Sequence, residues 1–169
     1  MRAALLCVVI LFSASGCGST AAEAGSGSDG GQKTQQEVTA EKFIDQFRSA
    51  VGSSVIVHDE VLPVLGPMTV IELPESGPGR AALEAKYGNF RVSVYADLNA
   101  ERRAFLTHGA APDADGTYWE YRPPEYIDEK PYWYARRFYG NVHVVWGSSV
   151  GRGGDERWLA LTAILSRLL

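Results

Sequence analysis

Three histidines and a band of aromatic and arginine side chains are the residues here whose types suit chemistry. His58 is followed by Asp59 and Glu60, a set that suits acid–base work or a metal. Adjacent residues on a strand point to opposite faces, so His58 and Asp59 do not converge without a bend. His143 alternates with Val142 and Val144 and shares a face with Val145, which suits a sheet-surface or half-buried residue better than a ligand. The stretch APDADGTYWEYR (111–122) holds aspartates and a glycine in the manner of a calcium loop. With Gly116 at the sixth position, Asp113 and Asp115 fall at the third and fifth. Ala111 and Arg122 then stand at the first and twelfth, where the ion needs oxygen, so the stretch reads as a turn. In GSSVGRGGDE (147–156), glycines and Arg152 precede a helix N-terminus, a place where anions bind. Asp155 and Glu156 occupy that end and repel a phosphate. Neither Ser148 nor Ser149 has the Gly-x-Ser-x-Gly frame of a nucleophile elbow. No catalytic, cofactor or metal motif emerges, and the expectation is a protein that is not an enzyme.

The aromatic–arginine band remains. Along 132–139, alternation sets Tyr132, Tyr134, Arg136 and Phe138 on one side and Trp133, Ala135, Arg137 and Tyr139 on the other. Arginines and aromatics facing outward can stack on a sugar ring, a lipid or a protein partner. The candidate binding residues are therefore Tyr121, Tyr132, Trp133, Tyr134, Arg136 and Arg137. The competing reading is cross-strand packing under helix cover, at about 0.2–1 kcal/mol per pair.

These residues need a scaffold. Phe43, Ile44, Phe47 and Val51 make a helical stripe behind Thr39, a suitable N-cap, and Gly52 ends it. Strands are expected at 54–58 and 69–73, with Pro63, Gly66 and Pro67 turning between them. A short helix over 81–87, a strand over 89–96 and a helical segment over 99–106 come next. The second half gives strands at 117–122, 132–139 and 142–148, with a loop at 123–131. Gly140-Asn141 between two alternating strands is a hairpin signal, the glycine taking positive φ. The chain ends in a helix with Trp158, Leu161, Leu165 and Leu168 on one face. Tyr-Gly-Asn occurs twice (87–89 and 139–141), each time leading into a strand. The fold class expected is α+β: a mostly antiparallel sheet of about six strands, with N- and C-terminal helices packed on one face.

At 169 residues there is room for one such domain with a proper core. Net charge is −4, and −5 without residues 1–16, whose only charged residue is Arg2. That sign disfavours nucleic acid and gains nothing from anionic lipid headgroups. Cys7 and Cys17 are the only cysteines, so no disulfide or thiolate site can form within residues 38–169. Ala3–Phe12 is apolar but covers only about 15 Å as a helix, too short to span a bilayer. It fits the apolar region of an export signal.

The order Ala14-Ser15-Gly16-Cys17 after that stretch resembles the lipobox of bacterial lipoproteins. The resemblance covers the signal segment alone. It implies cleavage before Cys17, a diacylglycerol on its thiol, and a place on the outer face of the cytoplasmic membrane or another envelope membrane. That family usually has Leu where Ala14 stands. The alternative is ordinary cleavage after Ser15 or Gly16, which releases a soluble secreted protein. Residues 18–37 lack large apolar side chains and suit a flexible tether with an r.m.s. span of about 25 Å. The division expected is signal peptide 1–16, anchor and tether 17–37, and one globular domain 38–169.

The function expected is a lipid-anchored extracytoplasmic module that binds a small ligand or an envelope protein through the aromatic–arginine sheet face, with no cofactor. One alternative is an envelope hydrolase or transferase whose acid and base, drawn from His58, Asp59, Glu60 and His143, meet only in the fold. Another is a structural or chaperone-like lipoprotein that acts by protein contacts.

Overall fold

The computed structural model describes residues 37–123, 132–148 and 155–169. The expected signal segment, Cys17 and nearly all of the expected tether lie outside the described residues, as do 124–131 of the expected loop and 149–154 of the glycine-rich stretch.

Helix α1 (Ala40–Val51) buries Phe43, Phe47 and Val51, spaced by four, on one stripe. Each such side chain contributes about 1.5–3 kcal/mol by leaving water. Thr39 stands at the N-cap in extended backbone, although its side chain makes no capping bond. Strands β1 (Ile56–Leu62) and β2 (Gly66–Glu72) form a hairpin. Both reach further toward the turn than the sequence suggests. Pro67, read as a turn marker, sits inside the ladder opposite Val61, and its carbonyl accepts the Ala96 amide at 3.2 Å. Helix α2 (Pro78–Tyr87) begins at Pro78, whose missing N–H is harmless in the first turn.

Strand β3 (Asn89–Tyr95) leads to helix α3 (Ala100–Thr107), capped by Asn99, whose side chain accepts from the Arg102 amide at 3.0 Å. Then come β4 (Tyr118–Arg122), β5 (Tyr132–Tyr139), β6 (Val142–Ser148) and helix α4 (Glu156–Leu168). Asp155 caps α4 through the Arg157 amide at 2.9 Å and also pairs with the Arg157 guanidinium at 2.6 Å.

The six strands of the described residues make one sheet in the order β1-β2-β3-β6-β5-β4, every neighbour antiparallel. The expected α+β class and the packing of both terminal helices on one face are observed. α1, α2 and α4 share a core with Ile71, Phe90, Val92, Val94, Val142, Val144 and Trp146. Trp146 lies at its centre and donates its indole N–H to the Tyr87 carbonyl at 2.9 Å. Gly88, at φ +74, lets that ring approach; a Cβ there would lie 2.3 Å from the indole nitrogen.

The other face of the sheet is covered in part by α3. Leu98 and Leu106 pack with Leu65, Met68, Val70, Tyr95 and Phe138. The two Tyr-Gly-Asn corners are not equivalent. Gly140 makes the β5–β6 turn at φ +59. Its neighbour Asn141 is buried; its side-chain Nδ2 donates to the carbonyls of Tyr95 and Val38 at 2.9 Å, while its side-chain Oδ1 accepts from the Val38 amide at 3.0 Å. That fixes the chain entering α1 to the far end of the sheet.

Candidate functional site

The pleat and the register decide what the α3 face carries. Glu60 on β1 lies opposite Met68 on β2, and Met68 opposite Tyr95 on β3. The next row runs His58, Val70, Ser93, His143, Phe138, and the next Glu72, Arg91, Val145, Arg136, Tyr118. Charged and aromatic residues from all six strands thus converge on one side of the sheet.

Two struts organise them. Glu60 is held on one oxygen by His58 Nε2 at 3.0 Å and on the other by Arg91 at 2.5 Å. The hydrogen bond from His58, with the guanidinium beside it, keeps the Glu60 carboxyl below its usual range. On the other side Arg136 donates to Glu120 at 2.7 Å and to the Leu106 carbonyl in the last turn of α3, where a cation also suits the helix dipole.

Between the struts is a hollow of about 330 Å³, walled by Arg91, Arg136, Glu60, Leu62, Leu65, Met68 and Leu106 and floored by Ser93, His143 and Val145. It shares Arg91 and Val145 with a hollow of about 420 Å³ that reaches Tyr132 and Tyr134. It shares Arg136 with one of about 380 Å³ beneath the end of α3. These make a groove across the sheet. A larger hollow, about 680 Å³, lies by Glu37–Ala40 at the start of α1. There Asp59 is occupied by Thr69 at 2.7 Å, and Asn141 by the bonds already described.

His143 corrects the sequence reading. It is 3 % exposed, not a surface or half-buried residue, because Phe138 stacks on it at 4.6 Å and Tyr95 lies at 6.4 Å. Burial, with Arg136 and then Arg91 nearby, pushes its pKa down to about 3, so the ring is neutral. Among the described residues its Nε2 has no hydrogen-bond partner, nor has Nε of Arg136. A buried polar atom left unpaired costs about 1–3 kcal/mol.

The candidate binding residues divide between the faces. Tyr132, Tyr134 and Arg136 lie on the groove side; Tyr132 covers Gly147 and packs on Tyr134 at 5.0 Å, and Arg122 stacks over Tyr134 at 5.0 Å. Tyr121, Trp133 and Arg137 lie on the side of the helical core. The Tyr121 and Trp133 rings pack at 4.9 Å, and Arg137 covers Tyr139 while pairing with Asp115 at 3.4 Å. Of the acid–base suspects, His58 and Glu60 meet because residues two apart share a face, whereas Asp59 turns away to Thr69. The Asp113 and Asp115 carboxylates are spent on the Thr117 amide, and Asp113 also takes the Trp119 indole N–H.

Sequence reasoning missed Arg91 and underrated His143. The alternation Arg91, Ser93, Tyr95 against Phe90, Val92, Val94 places Arg91 on the polar side. Nothing local says that Glu60 and Arg136 flank it there. The class defined is an α+β domain with one helix-packed sheet face and one grooved, charged face. No family model, curated protein or solved structure matches the chain.

Proposed function

We propose that the chain is a lipid-anchored extracytoplasmic module, not an enzyme, that binds its ligand or envelope partner in the groove on the α3 face. The observation that carries the binding part is the central hollow, where two guanidiniums flank a buried imidazole. A polar floor with buried nitrogens unpaired among the described residues, beneath an open groove, suits a bound polar group better than bare solvent exclusion. The anchor rests on Ala14-Ser15-Gly16-Cys17 and the polar stretch behind it. Tyr132 and Tyr134 join the reading as a rim; Tyr121, Trp133 and Arg137 belong to the opposite face and leave it.

The acid–base alternative keeps one supporting observation, the contact of His58 with Glu60. Both oxygens of Glu60 are already engaged, however, which makes it a strut rather than a proton acceptor. The test is an NMR titration of the labelled chain with a small-molecule extract of bacterial envelopes. Shifts grouped on Met68, Tyr95, Ser93 and His143 support the proposal. Shifts confined to α1, α2 and α4, or none, refute the assignment of the face.

A further inference from the structure

Resting on that reading of the groove, we infer that the central hollow takes an amphiphilic anion, a carboxylate head on a short apolar body. The head belongs between Arg91 and Arg136. Each guanidinium already faces one carboxylate, Arg91 with Glu60 and Arg136 with Glu120, so the charges balance and the choice of an acceptor head rests on the unpaired atoms.

The unpaired atoms make that choice in hydrogen-bond terms. Arg136 commits its two terminal nitrogens to Leu106 and Glu120, leaving the Nε–H a donor with no partner among the described residues. Arginine has no acceptor to offer, so only an oxygen or another acceptor can complete it. His143 Nε2 is likewise unpaired among those residues; with its proton on that nitrogen the neutral ring is a second donor. A carboxylate brings two acceptor oxygens to two donors.

The remaining wall argues for the tail. Leu62, Leu65, Met68 and Leu106 form the apolar part of the lining. At about 330 Å³ the hollow lies at the small end of ligand pockets, which suits a short chain rather than a long one. A bare inorganic anion would leave that apolar wall unused. A neutral alkyl chain would leave both donors unpaired.

The experiment uses the full chain carrying Cys17→Ser, with the Met68 methyl as reporter; Met1 is the only other methionine. Four probes are titrated: octanoate, 1-octanol, octylammonium and acetate. Octanoate should move the Met68 methyl and the His143 ring signals saturably, about tenfold more tightly than any of the other three. Arg91→Gln should abolish that preference. Arg136→Lys, which keeps the charge but loses the buried Nε–H, should weaken octanoate in the same direction, so the result does not hang on one variant folding. Equal or tighter binding of octanol or octylammonium overturns the anionic class while leaving the groove a binding site. No response of Met68 to any probe at millimolar concentration overturns the inference. The wider reading of the face then fails only if the envelope-extract titration also leaves it untouched.

Discussion

Lowering the pH from 7 to 5 should destabilise this domain through His143. The ring is neutral in the folded protein, with a pKa of about 3 set first by burial and then by Arg136 and Arg91. In the unfolded chain a histidine titrates at about 6.5. The folded value of this base is depressed, so below about pH 6.5 the unfolded state binds the proton and the folded state does not. Stability is therefore full above that pH and falls toward pH 3, by about 1.4 kcal/mol per unit. Between pH 7 and 5 the loss comes to about 2 kcal/mol. Glu60 faces the same hollow, but its carboxyl is held below its usual 4.5 and its contribution is lost only under that window. Urea unfolding of wild type and His143→Gln at both pH values measures the effect. His143→Gln starts less stable, since it loses the stack on Phe138, but should lack most of the added loss. Equal pH slopes for the two proteins would refute the placement of a neutral imidazole beneath the arginines.

Gly88→Ala forces a side chain into positive φ and onto the Trp146 indole nitrogen at 2.3 Å. A loss of about 3 kcal/mol or more is expected by thermal or chemical unfolding. Asn141→Ala removes three hydrogen bonds that tie Val38 and Tyr95 to the β5–β6 turn, and should cost about 2–3 kcal/mol. Amide exchange at Val38 should speed up more than exchange within α4. The pair Glu60–Arg91 is partly exposed, so replacing both together by Leu and Met should change stability by no more than about 1 kcal/mol. A loss well above that in a denaturant titration would show the strut to be structural. Intact mass of the membrane-fraction protein should show a diacylglycerol-bearing N-terminus at Cys17, absent from Cys17→Ser.

The fold was legible where periodicity is local. Phe43, Phe47 and Val51 announce α1, and Gly140-Asn141 announces the hairpin, since spacing and turn chemistry act over a few residues. The β1–β2 turn was misjudged because proline and glycine mark a bend without saying which residues re-enter the ladder; Pro67 does so by offering only its carbonyl. The site was less legible for a related reason. The two-residue period tells that His58 and Glu60 share a side, and that Tyr132, Tyr134 and Arg136 share one. It does not tell that these are the same side, which needs the strand order β1-β2-β3-β6-β5-β4. His143 was misread because its own neighbours are small valines; the rings that bury it come from β3 and β5.

That arrangement also bears on why the face is charged at all. A sheet side that only had to be covered by α3 would be served best by leucine and valine, as the Leu98–Leu106 contact with Met68 and Val70 illustrates. A partly exposed ion pair such as Glu60–Arg91 adds about 0–1 kcal/mol, too little to account for four charged residues on the struts. What the struts do fix is direction. Glu60 and His58 hold Arg91 from the β1 side, while Glu120 and the end of α3 hold Arg136 from the β4 side. The two guanidiniums are thereby preorganised on either side of His143, and the rotamer freedom of two long side chains is given up before anything binds. A buried imidazole and guanidinium nitrogen, unpaired among the described residues, are what a bound acceptor would satisfy in the proposed reading.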